Sequence, residues 1–366
     1  MSEASATSES RVNLLDLVPD RAEEALRDFA LQAGQPPYRA TQVLQHLWKS
    51  PRDGFEVMAQ LPAHFRERLA ERFEIPRLGL TARQQSTDGT EKFLFRLSDG
   101  EHIETVAIPE GPRLTLCVSS QAGCALQCSF CATGAMGFSR NLRVSEIAGQ
   151  VREIQLLTGR RPTNIVFMGM GEPLMNWKAV DPVLTILNDP KGFGIGARHI
   201  TVSTVGVLPG IVALGKRREQ FRLAISIHAP SDALRRTLMP INTKYPLADV
   251  IDAAGVFERR VTFEYVMLHG VNDETAHARE LAALAKRCGA FVNLIPLHPG
   301  GAGNFTPTTP QGIAAFARSI RAAGVEVAIR KSRGKDIAAA CGQLRVERQR
   351  GRTPVRAEED GDVQVA

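Results

Sequence analysis

Residues 113–143 read RLTLCVSSQAGCALQCSFCATGAMGFSRNLR, and the parsing of this run decides the fold. It opens on residues 114–118, apolar and β-branched and bounded by Ser119 and Ser120, which is the pattern of a strand. It then breaks into a loop carrying Cys124, Cys128 and Cys131 at C-x3-C-x2-C spacing. A structural zinc site takes four ligands, usually closed by a second C-x2-C or H-x3-H pair, and no such pair follows downstream. Three clustered thiolates suit a 4Fe-4S cluster better, because its fourth iron then stays open for a small molecule. A buried or zinc-binding cysteine group is the plainer alternative.

Downstream of this run, strands and helices alternate. Strands are expected at 114–118, 165–168, 199–203, 222–227, 262–267 and 291–295, with amphipathic helices between them and one more strand-like run at 325–329. The helix beginning at Ser145 illustrates the pattern: Ser145 is placed to cap it, Ile147, Val151 and Ile154 form one stripe, and Gly159 ends it. Six such units predict an α/β fold, a partial (β/α)6 TIM-type barrel over residues 113–345, with its chemistry at the strand ends. Upstream, residues 78–109 alternate with period two, and Asp88-Gly89 and Asp99-Gly100 supply hairpin turns. A short connecting antiparallel sheet over 77–112 follows from this. Residues 12–76 read as a small helical domain punctuated by Pro19, Pro36, Pro37, Pro51 and Pro62, suited either to docking RNA or to capping the barrel. Residues 1–11, rich in Ser, Ala and Glu, are expected to be disordered, and 346–366 form a charged tail.

The chain has 366 residues, 43% of them apolar and 23% charged, which excludes disordered and collagen-like classes. No apolar run approaches the length of a membrane span and the first residues are polar, so a cytoplasmic protein with no membrane association is expected. In that compartment its six cysteines point to metal or catalytic use rather than to a disulfide framework. Cys288, in an Ala-rich helix ending at Gly289, reads as structural. Lys and Arg outnumber Asp and Glu by 45 to 39, a net charge of +6 that suits a polyanionic partner. Basic residues crowd 330–335 and 345–356, where they would serve as phosphate contacts or as a solvated basic tail.

Polar groups recur where the barrel strands end. Gly171 and Glu172 follow the second strand, Ser203 ends the third, Ser226, Ile227 and His228 end the fourth, and Asn293 lies on the sixth. Singly, each reads as a satisfied strand-end group. Their repetition at successive strand ends is the signal. Glu104, between Ile103 and Thr105, reads by alternation alone as a strand residue facing water.

C-x3-C-x2-C with Phe130 before the last cysteine resembles the signature of the radical S-adenosylmethionine (radical SAM) superfamily. The string over 117–143, followed in order by VFMGMGEPLMN, ITVSTVG, AISIHAP, EYVML, VNLIP and AACGQL and preceded by IETVAIPE, resembles the RlmN/Cfr family of RNA methyltransferases that modify adenine. That resemblance implies that Cys124, Cys128 and Cys131 hold one 4Fe-4S cluster. It implies that Gly171, Glu172, Ser203, Ser226, Ile227, His228 and Asn293 contact S-adenosylmethionine, two molecules being used per turnover. Adenine C2 and C8 are not nucleophilic carbons, so a radical route is required. By the same resemblance Cys341 first takes a methyl group and then delivers its carbon to the base. Cys117 resolves the protein–RNA adduct through a disulfide with Cys341, and Glu104 accepts the proton. The substrates implied are an adenine of 23S rRNA, at C2, and an adenine of certain tRNAs. A flavodoxin- or ferredoxin-type electron donor and a monomeric enzyme are expected alongside. A Cfr-like C8 methyltransferase shares the machinery. A non-catalytic iron-sulfur protein of ribosome assembly is a third reading, against which the pair Cys117 and Cys341 speaks. Two departures bear on RNA detail: Lys335 and Ala338 stand where the family commonly has an acidic residue, and residues 299–310 show no clear family pattern.

Overall fold

The computed structural model describes residues 11–257, 259–298, 303–339 and 342–344. One ten-stranded sheet organises it. In chain order its strands are β1 (Gly79–Gln85), β2 (Glu91–Arg96), β3 (His102–Glu110), β4 (Arg113–Cys117), β5 (Asn164–Phe167), β6 (Ile200–Thr204), β7 (Arg222–Ser226), β8 (Val261–Met267), β9 (Phe291–Pro296) and β10 (Val327–Ile329). From β4 to β10 every neighbouring pair is parallel, and each crossover carries helix against the outer face. The six expected barrel strands lie within a residue or two of their predicted limits. The run at 325–329 supplies a seventh parallel strand, β10.

The connecting strands do not form a sheet of their own. β1 to β4 make an antiparallel meander that continues into the barrel, with Val106 of β3 opposite Cys117 of β4. Both predicted hairpin turns are present, with Gly89 and Gly100 at φ of +83° and +90°.

Side chains alternate across the parallel strands, and the two faces differ in kind. Leu116, Ile165, Phe167, Val202, Leu223, Ile225, Phe263, Val292 and Leu294 are all 2% exposed or less and form the core. Burying each of these contributes about 1.5–3 kcal/mol. Cys117, Ser203, Ser226, Glu264 and Asn293 occupy the opposite, concave face. Parallel register sets Ser226 beside Glu264 and Glu264 beside Asn293, so three strands present one polar row.

Helix Val144–Thr158 begins one residue before Ser145, which therefore does not cap it. The Glu146 carboxylate accepts from Arg143 N at 2.8 Å, and the Ser145 amide donates to Asp16 Oδ1, also at 2.8 Å. Asp16 belongs to the N-terminal module, whose helices span Pro19–Gln32, Tyr38–Trp48 and Ala63–Arg72. Gly159, at φ +65°, ends the barrel helix as expected. Among the described residues, no helix is long and apolar enough to cross a membrane. The expected disordered start and charged tail lie outside the described residues, apart from Arg11, as does the basic run 345–356.

Candidate active site

A short ribbon, Gln121–Gly123 paired with Phe138–Asn141, grips the base of the cysteine loop. Glycine is required at its neck: Gly123 has φ +75°, and a Cβ there would lie 2.0 Å from Gly137 O. Within the loop, Cys124 N donates to Gly137 O at 2.8 Å and Cys131 N to Cys128 O at 3.1 Å, while Ser129 N ties it to Leu238 O at 2.9 Å. The loop geometry thus comes mainly from its own backbone bonds, with one tie to Leu238 O.

Burial pushes the Cys124 thiol up to about 11, and Cys128 is raised further, again chiefly by burial. The other cysteines of the loop add to both shifts by like-charge repulsion, whereas Arg235 opposes the shift at Cys128. Cys124 and Cys128 therefore resist ionising unless a strongly positive group accepts them. Among the described residues no three His, Cys, Asp or Glu side chains converge on the position of a single metal ion. A cluster that takes each thiolate on a different iron needs no such convergence. The donor set therefore fits a multi-iron cluster with an open position better than a zinc ion.

The strand-end residues form the adjoining cup. Gly171, at φ +95°, leaves no room for a Cβ against the Gln121 side chain, only 2.4 Å away. Glu172 is buried. Its Oε1 accepts from Leu174 N at 3.1 Å, its Oε2 from Val205 N at 2.9 Å, and burial lifts its carboxyl to about 7. The Thr204 side chain bonds it as well, which leaves the carboxylate one lone-pair direction for a ligand donor. His228 has φ +54°, accepts from Val266 N through Nδ1 at 3.0 Å, and packs edge-on against Phe130 with centroids 4.7 Å apart. Burial, with Arg235 adding, pulls it down to about 3, so it is a neutral imidazole.

Two buried charged residues escaped the sequence reading. Arg235, 0% exposed, donates to Val205 O, Ser226 O and Ile227 O at 2.5, 3.2 and 3.2 Å and staples the ends of β6 and β7. Glu264 accepts from Asn293 Nδ2 at 2.9 Å. Burial raises its carboxyl against the opposing pull of Arg330. The string EYVML contained Glu264, but only strand register reveals that it abuts Ser226 and Asn293.

Cys117 ends β4, 6% exposed, and lines a cavity of about 530 Å³. Arg330, Lys331, Arg333 and His298 form one wall, and Ala339 and Leu344 contribute another. Cys341 lies outside the described residues. The chain just after it is tied down: Ala132 N donates to Gly342 O at 2.8 Å, and Thr133 Oγ1 to Leu344 O at 2.6 Å, directly after Cys131. A shallower depression of about 580 Å³ at Gly79, Arg96 and His102 holds none of the site residues.

Glu104 does not face water, as alternation alone suggested. It is 3% exposed, because β3 runs between β2 and β4, and its Oε1 lies 3.1 Å from Lys92 Nζ. Cys288 ends its helix before Gly289 and points its thiol at the helix's own Leu284 O, 3.7 Å away.

The fold and the cysteine loop together define a radical SAM protein, and residues 118–282 match the radical SAM superfamily. Residues 12–75 match the ribosomal RNA large subunit methyltransferase N-terminal domain. The chain is 68% identical over 97% of its length to a probable dual-specificity RNA methyltransferase RlmN of Gemmatimonas aurantiaca, covering 99% of that protein. It is 46% identical over 91% of its length to the dual-specificity RNA methyltransferase RlmN of Alkalilimnicola ehrlichii, covering 93% of it. A radical SAM methyltransferase from Sphaerobacter thermophilus has the same structure, with TM-score 0.84, 43% identity, and coverage of 92% of this chain and 100% of that one. The chain belongs to the RlmN family of RNA methyltransferases.

Proposed function

We propose that the protein methylates C2 of an adenine in 23S rRNA, and of an adenine in certain tRNAs, through a methyl group carried on Cys341. The observation that carries this reading is the cavity beside Cys117. It has room for a nucleotide, a wall of cationic side chains for phosphate, and Ala339 and Leu344 from either side of Cys341 in the chain. The names of the relatives, dual-specificity RNA methyltransferases, support it.

In this reading Cys124, Cys128 and Cys131 hold a 4Fe-4S cluster, and Gly171, Glu172, Ser203, Ser226, Ile227, His228 and Asn293 hold S-adenosylmethionine. When bound, these groups supply methyl groups and a hydrogen-abstracting radical. The protein's own tasks are positional and protonic. The Cys341 thiolate accepts a methyl group and later links its carbon to the base. Glu104 takes the proton from the base carbon. The Cys117 thiolate then attacks the Cys341 sulfur: the disulfide forms, the sulfur–carbon bond breaks with its electron pair passing to the methylene carbon, and a proton from solvent completes the methyl group as the base departs. Apolar neighbours such as Met168 and Ile295 keep water from the reacting thiols. A flavodoxin- or ferredoxin-type protein supplies electrons. A cytoplasmic monomer completes the reading.

The test is mass spectrometry of nucleosides from 23S rRNA and tRNA incubated with anaerobically reconstituted protein, S-adenosylmethionine and reductant. 2-Methyladenosine is the expected product. 8-Methyladenosine would assign the chain to the C8 branch. Unmodified RNA from protein with a full cluster would overturn the proposal.

A further inference from the structure

The segment leading towards Cys341 is fastened by contacts that the roles assigned above do not use. Gly334 N donates to Asp88 Oδ2 at 3.0 Å. Asp336 accepts from Ser86 Oγ at 2.5 Å and from Thr87 N at 3.1 Å. Lys92 Nζ donates to Ala338 O at 3.4 Å. All the partners on the far side belong to one hairpin, the turn at 86–90 and the start of β2. The packing agrees, since a Cβ on Gly334 would stand 3.0 Å from Thr90 Cγ2.

Lys92 also reaches the other way. The same ammonium lies 3.1 Å from Glu104 Oε1, with the two side chains 11% and 4% exposed. An ammonium has three donors, and one this deeply placed is costly to leave half-paired. Moving the segment away from Lys92 therefore disturbs Glu104, and moving Glu104 disturbs the segment.

We propose that Lys92 is a positioning residue that holds Glu104 and the Cys341 segment in one arrangement, with the turn at 86–90 as the clasp on the other side. This rests on the roles given above to Glu104 and Cys341. Both groups must address one adenine together, the sulfur through its carbon and the carboxylate through the departing proton. A misplacement of about 1 Å in such an arrangement costs on the order of a hundredfold in rate.

Three variants test it: Lys92→Met, Lys92→Arg, and Asp336→Asn, which alters only an exposed side chain. In protein free of cluster and cofactor, amide hydrogen exchange over residues 334–339 is expected to quicken about fivefold or more in Lys92→Met and in Asp336→Asn. Unchanged exchange in both would overturn the clasp. In reconstituted protein, methyladenosine formed per 5'-deoxyadenosine released should fall about tenfold in Lys92→Met and return to within about threefold of the parent in Lys92→Arg. An unchanged ratio in Lys92→Met, or no recovery in a folded Lys92→Arg, would overturn the positioning role. Failure of the parent protein to make methyladenosine would instead sink the functional reading, and the exchange measurement would still decide the clasp.

Discussion

The cysteine loop and the polar row on the barrel's concave face solve the same problem, holding side chains in fixed places, by opposite means. The loop works largely locally: a two-strand ribbon, one glycine at φ +75° and short-range backbone bonds shape it, with Ser129 and Ala132 tying it to distant segments. The row of Ser226, Glu264 and Asn293 exists only because β7, β8 and β9 stack in register, with Glu264 and Asn293 separated by 29 positions in the chain. A site built locally leaves a readable string. A site built by register leaves scattered single residues.

The largest effect should come from the loop. Cys124→Ala, Cys128→Ala or Cys131→Ala is expected to abolish both cluster and methylation. The parent should hold about four irons per chain on iron analysis, whereas stoichiometric zinc with activity intact would break the comparison at its root. Next come the two thiols near the cavity. Cys341→Ala should keep the iron-sulfur absorption yet methylate no RNA. Cys117→Ala should keep the cluster and accumulate as a nuclease-sensitive protein–RNA conjugate on a denaturing gel, lost again in the double variant. Free methylated RNA released by Cys117→Ala at the parental rate would mean that this thiol does not resolve the adduct.

A smaller effect is expected from the row. Glu264→Ala removes the acceptor that orients the Asn293 amide, so KM for S-adenosylmethionine should rise about tenfold, the worth of one buried hydrogen bond, with iron content unchanged. An equal fall in kcat at constant KM would show that Glu264 acts elsewhere. Cys288→Ala should be nearly silent, within about 0.5–1 kcal/mol in stability and without effect on turnover, since its thiol is half-buried and hydrogen-bonds to its own helix.

The same contrast explains what the sequence disclosed. Strand positions were legible because apolar runs bounded by turn residues mark them, and the cysteine loop because its three thiols stand in one short string. The Ser145 cap misled because the true acceptor for that amide, Asp16, stands 129 residues earlier. Glu104 looked exposed because period two says which face a residue takes, not whether another strand flanks it. The fusion of the antiparallel meander with the barrel, and the burial of Arg235 and Lys92, depend on pairings between distant segments that no local window contains.

The N-terminal module is seated on the barrel by polar bonds that are largely shielded from water. Asp16 caps a barrel helix, Gln155 donates to Trp48 O at 3.3 Å, and Arg152, 0% exposed, donates to Arg52 O. These bonds couple the two. Anything held by this module would meet the cavity at a set distance, as on a ruler. Excising it would strip partners from the barrel's own first helix, and the ruler could not be removed without blunting the tool it measures for.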